Sequence, residues 1–280
     1  MLFDLPQLDQ QQITHLKGVK GLALPLLLAE ITHKFHGLNL VLTESAHQSQ
    51  VLEEELILTH PELKNNILHF PAWDTLPYDV FSANPEIISQ RLAFLYEVSH
   101  EIDHGVLIIP ITNLMQRISP KNFVKGQSLV LDLNSKFDIN KKRLSFENNG
   151  YHCVSEVREP GEFAVRGGLI DIFPSGSHQA FRIELFDDEI ESIRTFNTES
   201  QRSIEKVDHI KILPANEFPF NEKGRDLFLA NFRHDFDVDT HKSTIYQDVR
   251  KATNTSRTCF RSSVASLSFL RLQPPSSKQH

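Results

Sequence analysis

Short apolar strands alternate with amphipathic helices along the first 118 residues of this 280-residue chain. Three runs have the composition of buried strands: Leu38–Leu42, Ile67–Phe70 and Val106–Ile109. Apolar residues at helical spacing mark the segments between them, 23–36, 46–58 and 85–104. A parallel strand needs a long crossover, usually a helix, before the chain can pair again. The alternation therefore predicts an α/β domain with a parallel sheet over residues 1–118.

The pattern changes to short alternating strands over residues 119–213. Period-2 alternation predicts five strands and a helix between two of them. The strands are 127–133, 151–157, 163–173, 180–186 and 190–197, and the helix is 139–149. We expect a smaller α+β domain with an antiparallel sheet, inserted into the first domain. Residues 214–250, with helices at 223–232 and 244–250, would return to the first domain.

The segment Glu159–Pro174 reads Glu-Pro-Gly-Glu-Phe-Ala-Val-Arg-Gly-Gly-Leu-Ile-Asp-Ile-Phe-Pro. Pro160-Gly161 is a turn signal, and apolar residues then alternate with others, as in a strand with one buried face. Gly167-Gly168 interrupts the alternation, as a bulge or a tight turn would. The cationic Arg166 stands beside this glycine pair, an arrangement that could serve a partner surface.

A second strand, Phe181-Arg-Ile-Glu-Leu-Phe186, carries a candidate protein-binding face. Alternation puts Ile183 and Leu185 on one side of the strand, and Arg182, Glu184 and Phe186 on the other. If the aliphatic side faces the core, Arg182 and Phe186 stand outside, and Arg and aromatic residues are enriched among interface hot spots. Alternatively, Phe186 enters the core and Arg182 pairs with an acid such as Asp171. These residues alone leave both possibilities open.

These segments, with others in the same order, closely resemble the bacterial transcription-repair coupling factors, a family related to the excision-repair protein UvrB. The resemblance runs from about residue 10 to about residue 250. The further segments that carry it are Phe70–Asp79, Glu86–Leu92, Gly105–Pro110, Leu114–Arg117, Arg182–Ile190 and Leu213–Pro219. The family protein is far longer, so the chain resembles its N-terminal piece.

The resemblance implies a degenerate nucleotide-binding-like α/β domain that carries an inserted UvrB-interaction domain. In this family the inserted domain binds UvrA, and the matching contact residues here are Arg166, Arg182 and Phe186. The expected function is a non-catalytic UvrA-recruitment module in transcription-coupled nucleotide excision repair. The longer family protein also uses ATP to translocate on double-stranded DNA and displaces stalled RNA polymerase. Those activities belong to regions that this chain does not match.

The alternative function, a UvrB-like ATP-dependent helicase, requires a P-loop. That motif needs Gly-Lys-Ser/Thr, so that backbone N–H groups and the lysine hold phosphates while the hydroxyl holds Mg²⁺. At the corresponding place the chain reads Lys17-Gly-Val-Lys-Gly-Leu-Ala-Leu24. Leu22-Ala23 can neither ligate a metal nor pair with a phosphate. We therefore expect no cofactor in this chain and no enzymatic activity of its own.

Other segments that resemble chemical sites have plainer interpretations. His100-Glu-Ile-Asp-His104 matches the zinc motif His-Glu-x-x-His, but Gly105 follows at once and a strand begins, so it falls in a helix end. The acidic run Asp187–Glu189 is typical of a solvated hairpin turn. Cys153 is expected to pack in a strand. Trp73 is either a recognition aromatic or part of a loop packed over the sheet edge.

Composition and charge exclude other classes of protein. The net charge is −7, and residues 1–250 alone hold 24 basic and 36 acidic side chains, which does not favour strong nucleic-acid binding. Two cysteines exclude a disulfide scaffold, and no apolar run is long enough to span a membrane. The N-terminus lacks the basic region of a signal peptide. These features predict a cytoplasmic protein.

The last 30 residues, 251–280, differ from the rest. They hold five Lys or Arg and no Asp or Glu, and the family resemblance stops near Lys251. One hypothesis is an out-of-frame translation after a frameshift, because the composition changes abruptly. The other is a divergent or disordered terminus.

Overall fold

A computed structural model describes residues 13–75, 83–114, 116, 118–218, 222–236 and 239–251. Within these ranges the chain forms two compact units. The first holds the described residues up to Ala72 together with Glu97–Leu114, and the second holds Trp73–Tyr96 and everything described from Gln116 onward. The ends of three segments that carry the resemblance, and all of the tail after Lys251, lie outside the described residues.

The first unit is built on a three-stranded parallel sheet in the order β1-β3-β2, which confirms the predicted parallel sheet. Its strands are β1 (Leu38–Thr43), β2 (Ile67–His69) and β3 (Gly105–Pro110). Helices α1 (Ala23–Lys34) and α2 (Ala46–Thr59), a 3-10 helix (Pro61–Asn66) and the short α4 (Ile111–Leu114) complete it. Ser45 caps α2 by accepting a hydrogen bond from the backbone N–H of Gln48 at 3.2 Å.

The two faces of β1 differ in burial. Val41 packs with α1 and α2 residues and with Val106 and Ile108 of β3 in one apolar cluster. On the opposite face Leu38, Leu40 and Leu42 are exposed, so the prediction that β1 is a fully buried strand is wrong. The reason is position: β1 lies at an edge of the sheet, whereas the central β3 is largely buried along its whole length.

The second unit is built on a six-stranded sheet in the order β10-β9-β8-β7-β6-β5. All neighbouring strands are antiparallel except β5 and β6, which are parallel. The strands are β5 (His152–Cys153), β6 (Glu162–Arg166), β7 (Leu169–Phe173), β8 (Ala180–Phe186), β9 (Glu189–Phe196) and β10 (Ser203–Lys206). The strand predicted over 151–157 is therefore only two residues long.

A separate two-stranded sheet pairs β4 (Leu129–Asp132) with β11 (His209–Ile212). Both β10 and β11 were absent from the sequence prediction. Helix α6 (Ile139–Asn148), which begins and ends close to its predicted bounds, covers one face of the large sheet. Its Phe146 packs on Phe163 and Tyr151, with ring centroids 5.5 and 5.7 Å apart. This face forms the main core of the unit.

Four more helices lie wholly or partly in the second unit. They are α3 (Pro85–His100), most of which belongs to this unit, α5 (Lys121–Gln127), α7 (Glu222–Asp235) and α8 (Thr244–Lys251). Residues of α7 and α8 form a small aromatic cluster around Phe232 and Tyr246. Whether the first unit is a nucleotide-binding-like fold, and whether the domains divide at 118/119 and 213/214, remain predictions from the sequence.

Candidate docking surface

The glycine pair in Glu159–Pro174 is a tight hairpin turn rather than a bulge. Arg166 pairs with Leu169, so Gly167 and Gly168 form a two-residue loop between β6 and β7. Gly167 has a φ of 62°, which glycine adopts without steric cost. The carbonyl of Gly168 accepts a hydrogen bond from the N–H of Leu185 at 2.8 Å. A side chain at 168 would bring a Cβ within 3.1 Å of the Leu185 carbonyl oxygen, so glycine lets β8 approach the turn.

Strand register puts the three residues predicted to contact UvrA on one face of the sheet. Arg166 lies in a row with Leu169 and Glu184, and Arg182 lies in the adjoining row with Asp171. Since side chains two residues apart share a face, Phe186 follows Glu184 on the same side. The opposite face carries Ile183, which is fully buried in the main core. The structure therefore brings Arg166, Arg182 and Phe186 to the face that α6 does not cover.

Phe186 lies at the end of β8, immediately before the turn into β9. Its side chain is 70% exposed, so it does not enter the core. Asp187, the next residue, has a φ of 55° and makes the tight turn, as the acidic run predicts. An exposed phenyl ring held on a paired strand is a rigid apolar contact for a partner.

Arg182, in contrast, is mostly buried, with a side chain that is 15% exposed. Its Nε and Nη2 donate to the two carboxylate oxygens of Asp171 at 2.7 and 2.9 Å. Its Nη1 donates to the carbonyl of Gln201 at 3.1 Å, and its guanidinium lies 4.9 Å from the ring centroid of Phe196. Hydrogen bonding to Asp171 raises the pKa of Arg182, which keeps it cationic. The sequence left two arrangements open. Phe186 stays outside the core, as in the first, whereas Arg182 pairs with Asp171, as in the second.

Arg166 is exposed at the end of β6. Its Nη2 donates to the carbonyl of Ser155 at 2.5 Å, in the loop that precedes β6. This bond directs the guanidinium toward the β5 side of β6, while Phe186 lies two strands away on β8. The Cα atoms of Arg166 and Phe186 are separated by two strand spacings across the sheet and one two-residue repeat along the strand, which gives roughly 12 Å. A partner could therefore touch both side chains at once.

Sequence reasoning placed Glu184 on this face but did not identify its partners on β9, Ser192 and Arg194. Glu184 accepts a hydrogen bond from Ser192 Oγ at 2.6 Å and lies 3.4 Å from Arg194 Nη2. Both Glu184 and Arg194 have about a third of the side chain exposed, at 35% and 34%. Their pairing depends on the β8–β9 register, which no local sequence signal encodes.

The zinc-like motif His100–His104 does not form a helical metal site. Helix α3 ends at His100, so His104 lies outside it, and Nδ1 of His104 accepts a hydrogen bond from the N–H of Gly37 at 3.5 Å. In the described part of the chain, no three His, Cys, Asp or Glu residues are grouped as metal ligands would be. Contrary to expectation, Cys153 is exposed rather than packed. No helix in the same part is long and apolar enough to cross a membrane.

Trp73 is packed rather than offered to a partner. The guanidinium of Arg91 in α3 stacks over its indole, 4.3 Å from the ring centroid. Arg91 itself is fully buried. This geometry favours the packed-loop interpretation of Trp73.

Comparisons with known proteins give one family match and several similar proteins. Residues 129–218 match the family described as UvrB interaction domain. The chain is 38% identical over 257 residues to the transcription-repair-coupling factor of Haemophilus influenzae, which covers 90% of this chain and 22% of that protein. It is 37% identical over 233 residues to the factor of Escherichia coli, covering 83% and 20%. The factor of Bacillus subtilis is 28% identical over 205 residues, covering 72% and 17%. The chain thus spans about a fifth of the length of these relatives.

Proposed function

We propose that this chain recruits UvrA. The premise is that it is related to the transcription-repair-coupling factors and has a UvrB interaction domain at residues 129–218. In this role it acts in transcription-coupled nucleotide excision repair. The docking surface consists of Arg166, Arg182 and Phe186, with Glu184 between them. RNA polymerase and double-stranded DNA are proposed as partners only of a protein that also has the regions beyond the matched fifth.

The observation that carries the proposal is the exposure of Phe186 on the same sheet face as the exposed Arg166. The phenyl ring is 70% exposed on the sheet face away from the core. An exposed aromatic ring and an exposed arginine on one face of a sheet have the composition of an interface hot spot. It fits a partner surface that offers an apolar pocket next to an acidic group. No catalytic chemistry is needed for such a role.

The proposed module lacks the P-loop of a UvrB-like helicase, because no lysine and hydroxyl residue follow Gly21 in the segment before α1. The competing helicase function requires ATP binding. A ligand that binds the folded state raises the melting temperature, by an amount set by its concentration relative to Kd. We expect Mg-ATP at millimolar concentration to leave the melting temperature unchanged. A clear rise would support the UvrB-like alternative.

The test is the affinity of the chain for purified UvrA, measured by calorimetry or biolayer interferometry. Phe186→Ala and Arg166→Ala should each weaken binding by about 1–2 kcal/mol, or roughly five- to thirtyfold. Leu144→Ala is the matched control, since Leu144 is 59% exposed on α6, which covers the opposite face of the sheet. Circular dichroism should show all three variants folded. Unchanged affinity in both docking variants would contradict the proposal.

A further inference from the structure

The three docking residues are not equivalent, because Arg182 has little surface to offer a partner. Three of its nitrogens already donate to acceptors of the same domain, two to Asp171 and one to the carbonyl of Gln201. Asp171 is 1% exposed and lies beneath the surface. A partner that used the Arg182 guanidinium directly would have to break these bonds, and breaking a buried charge pair is costly.

We propose that Asp171, Arg182 and Gln201 are positioning residues, which fix Arg166 for the partner without contacting the partner themselves. This inference rests on the proposed function, because it assigns roles within the same docking surface. It divides the surface into contact residues, Arg166 and Phe186, and an internal support.

The support begins at Gln201, in the loop between β9 and β10. Its backbone has a φ of 58°, a conformation that non-glycine residues rarely adopt. The loop is held around it: the N–H of Gln201 donates to the carbonyl of Asn197 at 2.7 Å, and the carbonyl of Gln201 accepts from Arg182. A left-handed residue persists where its surroundings fix it, so the ion pair and the loop conformation depend on each other.

The side chain of Gln201 carries the connection to a second loop. Its Nε2 donates to the carbonyl of Val157 at 3.1 Å and to that of Thr198 at 2.7 Å. Val157 is fully buried in a small apolar cluster with Phe196, the ring over which Arg182 lies. The position of residue 157 is therefore set by the same group of side chains that holds Arg182.

The second loop ends the connection at Arg166. Ser155, two residues before Val157, accepts the hydrogen bond from Arg166 Nη2. On the other side the loop is fixed by Glu162, whose carboxylate accepts from the N–H groups of Arg158 and Glu159 at 2.8 and 3.0 Å. Continuous contacts thus run from Asp171 through Arg182, Gln201 and the 155–157 loop to Arg166.

Direct contact and positioning predict opposite effects of Asp171→Asn. If Arg182 contacts UvrA, removing its internal partner frees the guanidinium, and affinity stays equal or rises. If Arg182 positions Arg166, the loop loosens and affinity falls about five- to tenfold, although residue 171 cannot reach a partner.

Gln201→Gly tests the connection while leaving both side chains of the Asp171–Arg182 ion pair in place. Glycine accepts the left-handed backbone but removes the bonds to Val157 and Thr198. We expect about a fivefold loss of UvrA affinity, and a less than additive loss when combined with Arg166→Ala. Gln179→Ala, at an exposed position in the β7–β8 loop, is the matched control and should bind normally.

A stability control separates positioning from general destabilisation. Ile212→Val removes one buried methyl group from the core next to β4. It should lower the melting temperature about as much as Gln201→Gly does. It should leave UvrA affinity unchanged. If it weakens binding as much as Gln201→Gly does, the positioning role is wrong.

The outcomes for the full chain are distinct. Weaker binding of Phe186→Ala, Asp171→Asn and Gln201→Gly supports the inference. Weaker binding of Phe186→Ala with unchanged or tighter binding of Asp171→Asn and Gln201→Gly overturns the inference and keeps the proposed function. Unchanged binding of Phe186→Ala and Arg166→Ala overturns both. If Asp171→Asn does not fold, Gln201→Gly decides alone.

Discussion

Arg91 of α3 and Glu217, 126 residues later in the chain, form a buried ion pair with Nε and Oε1 2.5 Å apart. Their side chains are 0% and 3% exposed, and the indole of Trp73 stacks on the guanidinium. Ser119 Oγ donates to the main-chain carbonyl of Glu217. Three of the segments that carry the family resemblance, around residues 73, 91 and 217, therefore meet at one point of the second unit. These segments thus help to hold the second unit together.

Removing the carboxylate of this pair should destabilise the second unit strongly. Glu217→Ala removes the carboxylate that pairs with the buried Arg91 guanidinium, and breaking a buried ion pair costs about 3–5 kcal/mol. Urea unfolding followed by circular dichroism measures the loss. Trp73 fluorescence should change in the same transition, since it is the chain's only tryptophan and stacks on Arg91.

The control for this prediction is an exposed ion pair. Arg143 and Glu147 on α6 are 3.5 Å apart, with Arg143 54% exposed. Glu147→Ala should cost less than about 1 kcal/mol. Equal losses for the two glutamates would show that burial does not give the Arg91–Glu217 pair its importance.

The β6–β7 turn should reject a side chain at its first position. Gly167→Ala forces an alanine into a left-handed backbone with a φ of 62°, which costs about 1–2 kcal/mol. Thermal unfolding should show a lower melting temperature. Gly126→Ala is the matched control with the opposite sign, because Gly126 is helical in α5 and a Cβ there meets nothing within 4 Å. That variant should gain about 0.5–1 kcal/mol. A stable Gly167→Ala variant would contradict the turn geometry.

The N-terminus of α6 should make stability depend on acidic pH. Asp138 Oδ1 accepts from the N–H of Lys141 at 3.1 Å, and this bond, together with the Lys141 side chain, lowers the pKa of Asp138 below its ordinary value of 3.8. A carboxylate with a lowered pKa stabilises the folded state above its ordinary pKa. That contribution is lost as the pH falls through the lowered pKa.

Asp138→Asn keeps a capping oxygen but cannot titrate. We expect the parent to melt higher than this variant at neutral pH, because the charged cap also favours the helix N-terminus. The difference should shrink once the pH falls below 3.8, and melting curves from neutral to about pH 2 would show it. A difference that is constant over this range would exclude the carboxylate as its source.

Local patterns predicted much of the second unit. Alternation located β8, β9 and α6 to within about two residues, and the Asp-Asp pair predicted the β8–β9 hairpin turn. The single strand predicted at 163–173 is two strands, β6 and β7, because Gly167-Gly168 forms a hairpin turn, one of the two possibilities that the sequence left open. Helix α3 extends less far than predicted, because spacing alone does not indicate where a helix stops. Strands β10 and β11 were missed. The four residues of β10 are all exposed, and without a buried face a strand leaves little alternation to detect.

For the candidate site too, some features could be predicted from the sequence and others could not. The chain alone determined that Arg182, Glu184 and Phe186 share a face, because alternation is a property of consecutive residues. Only the tertiary structure decided that Phe186 stays exposed while Arg182 is held by Asp171 and the Gln201 loop. It also decided that Arg91 meets Glu217. Those outcomes depend on strand register and on contacts between segments far apart in the chain. The periodicity of consecutive residues does not encode strand register or these distant contacts. Both depend on which surfaces are buried together and on the pairing of the charges that are buried with them.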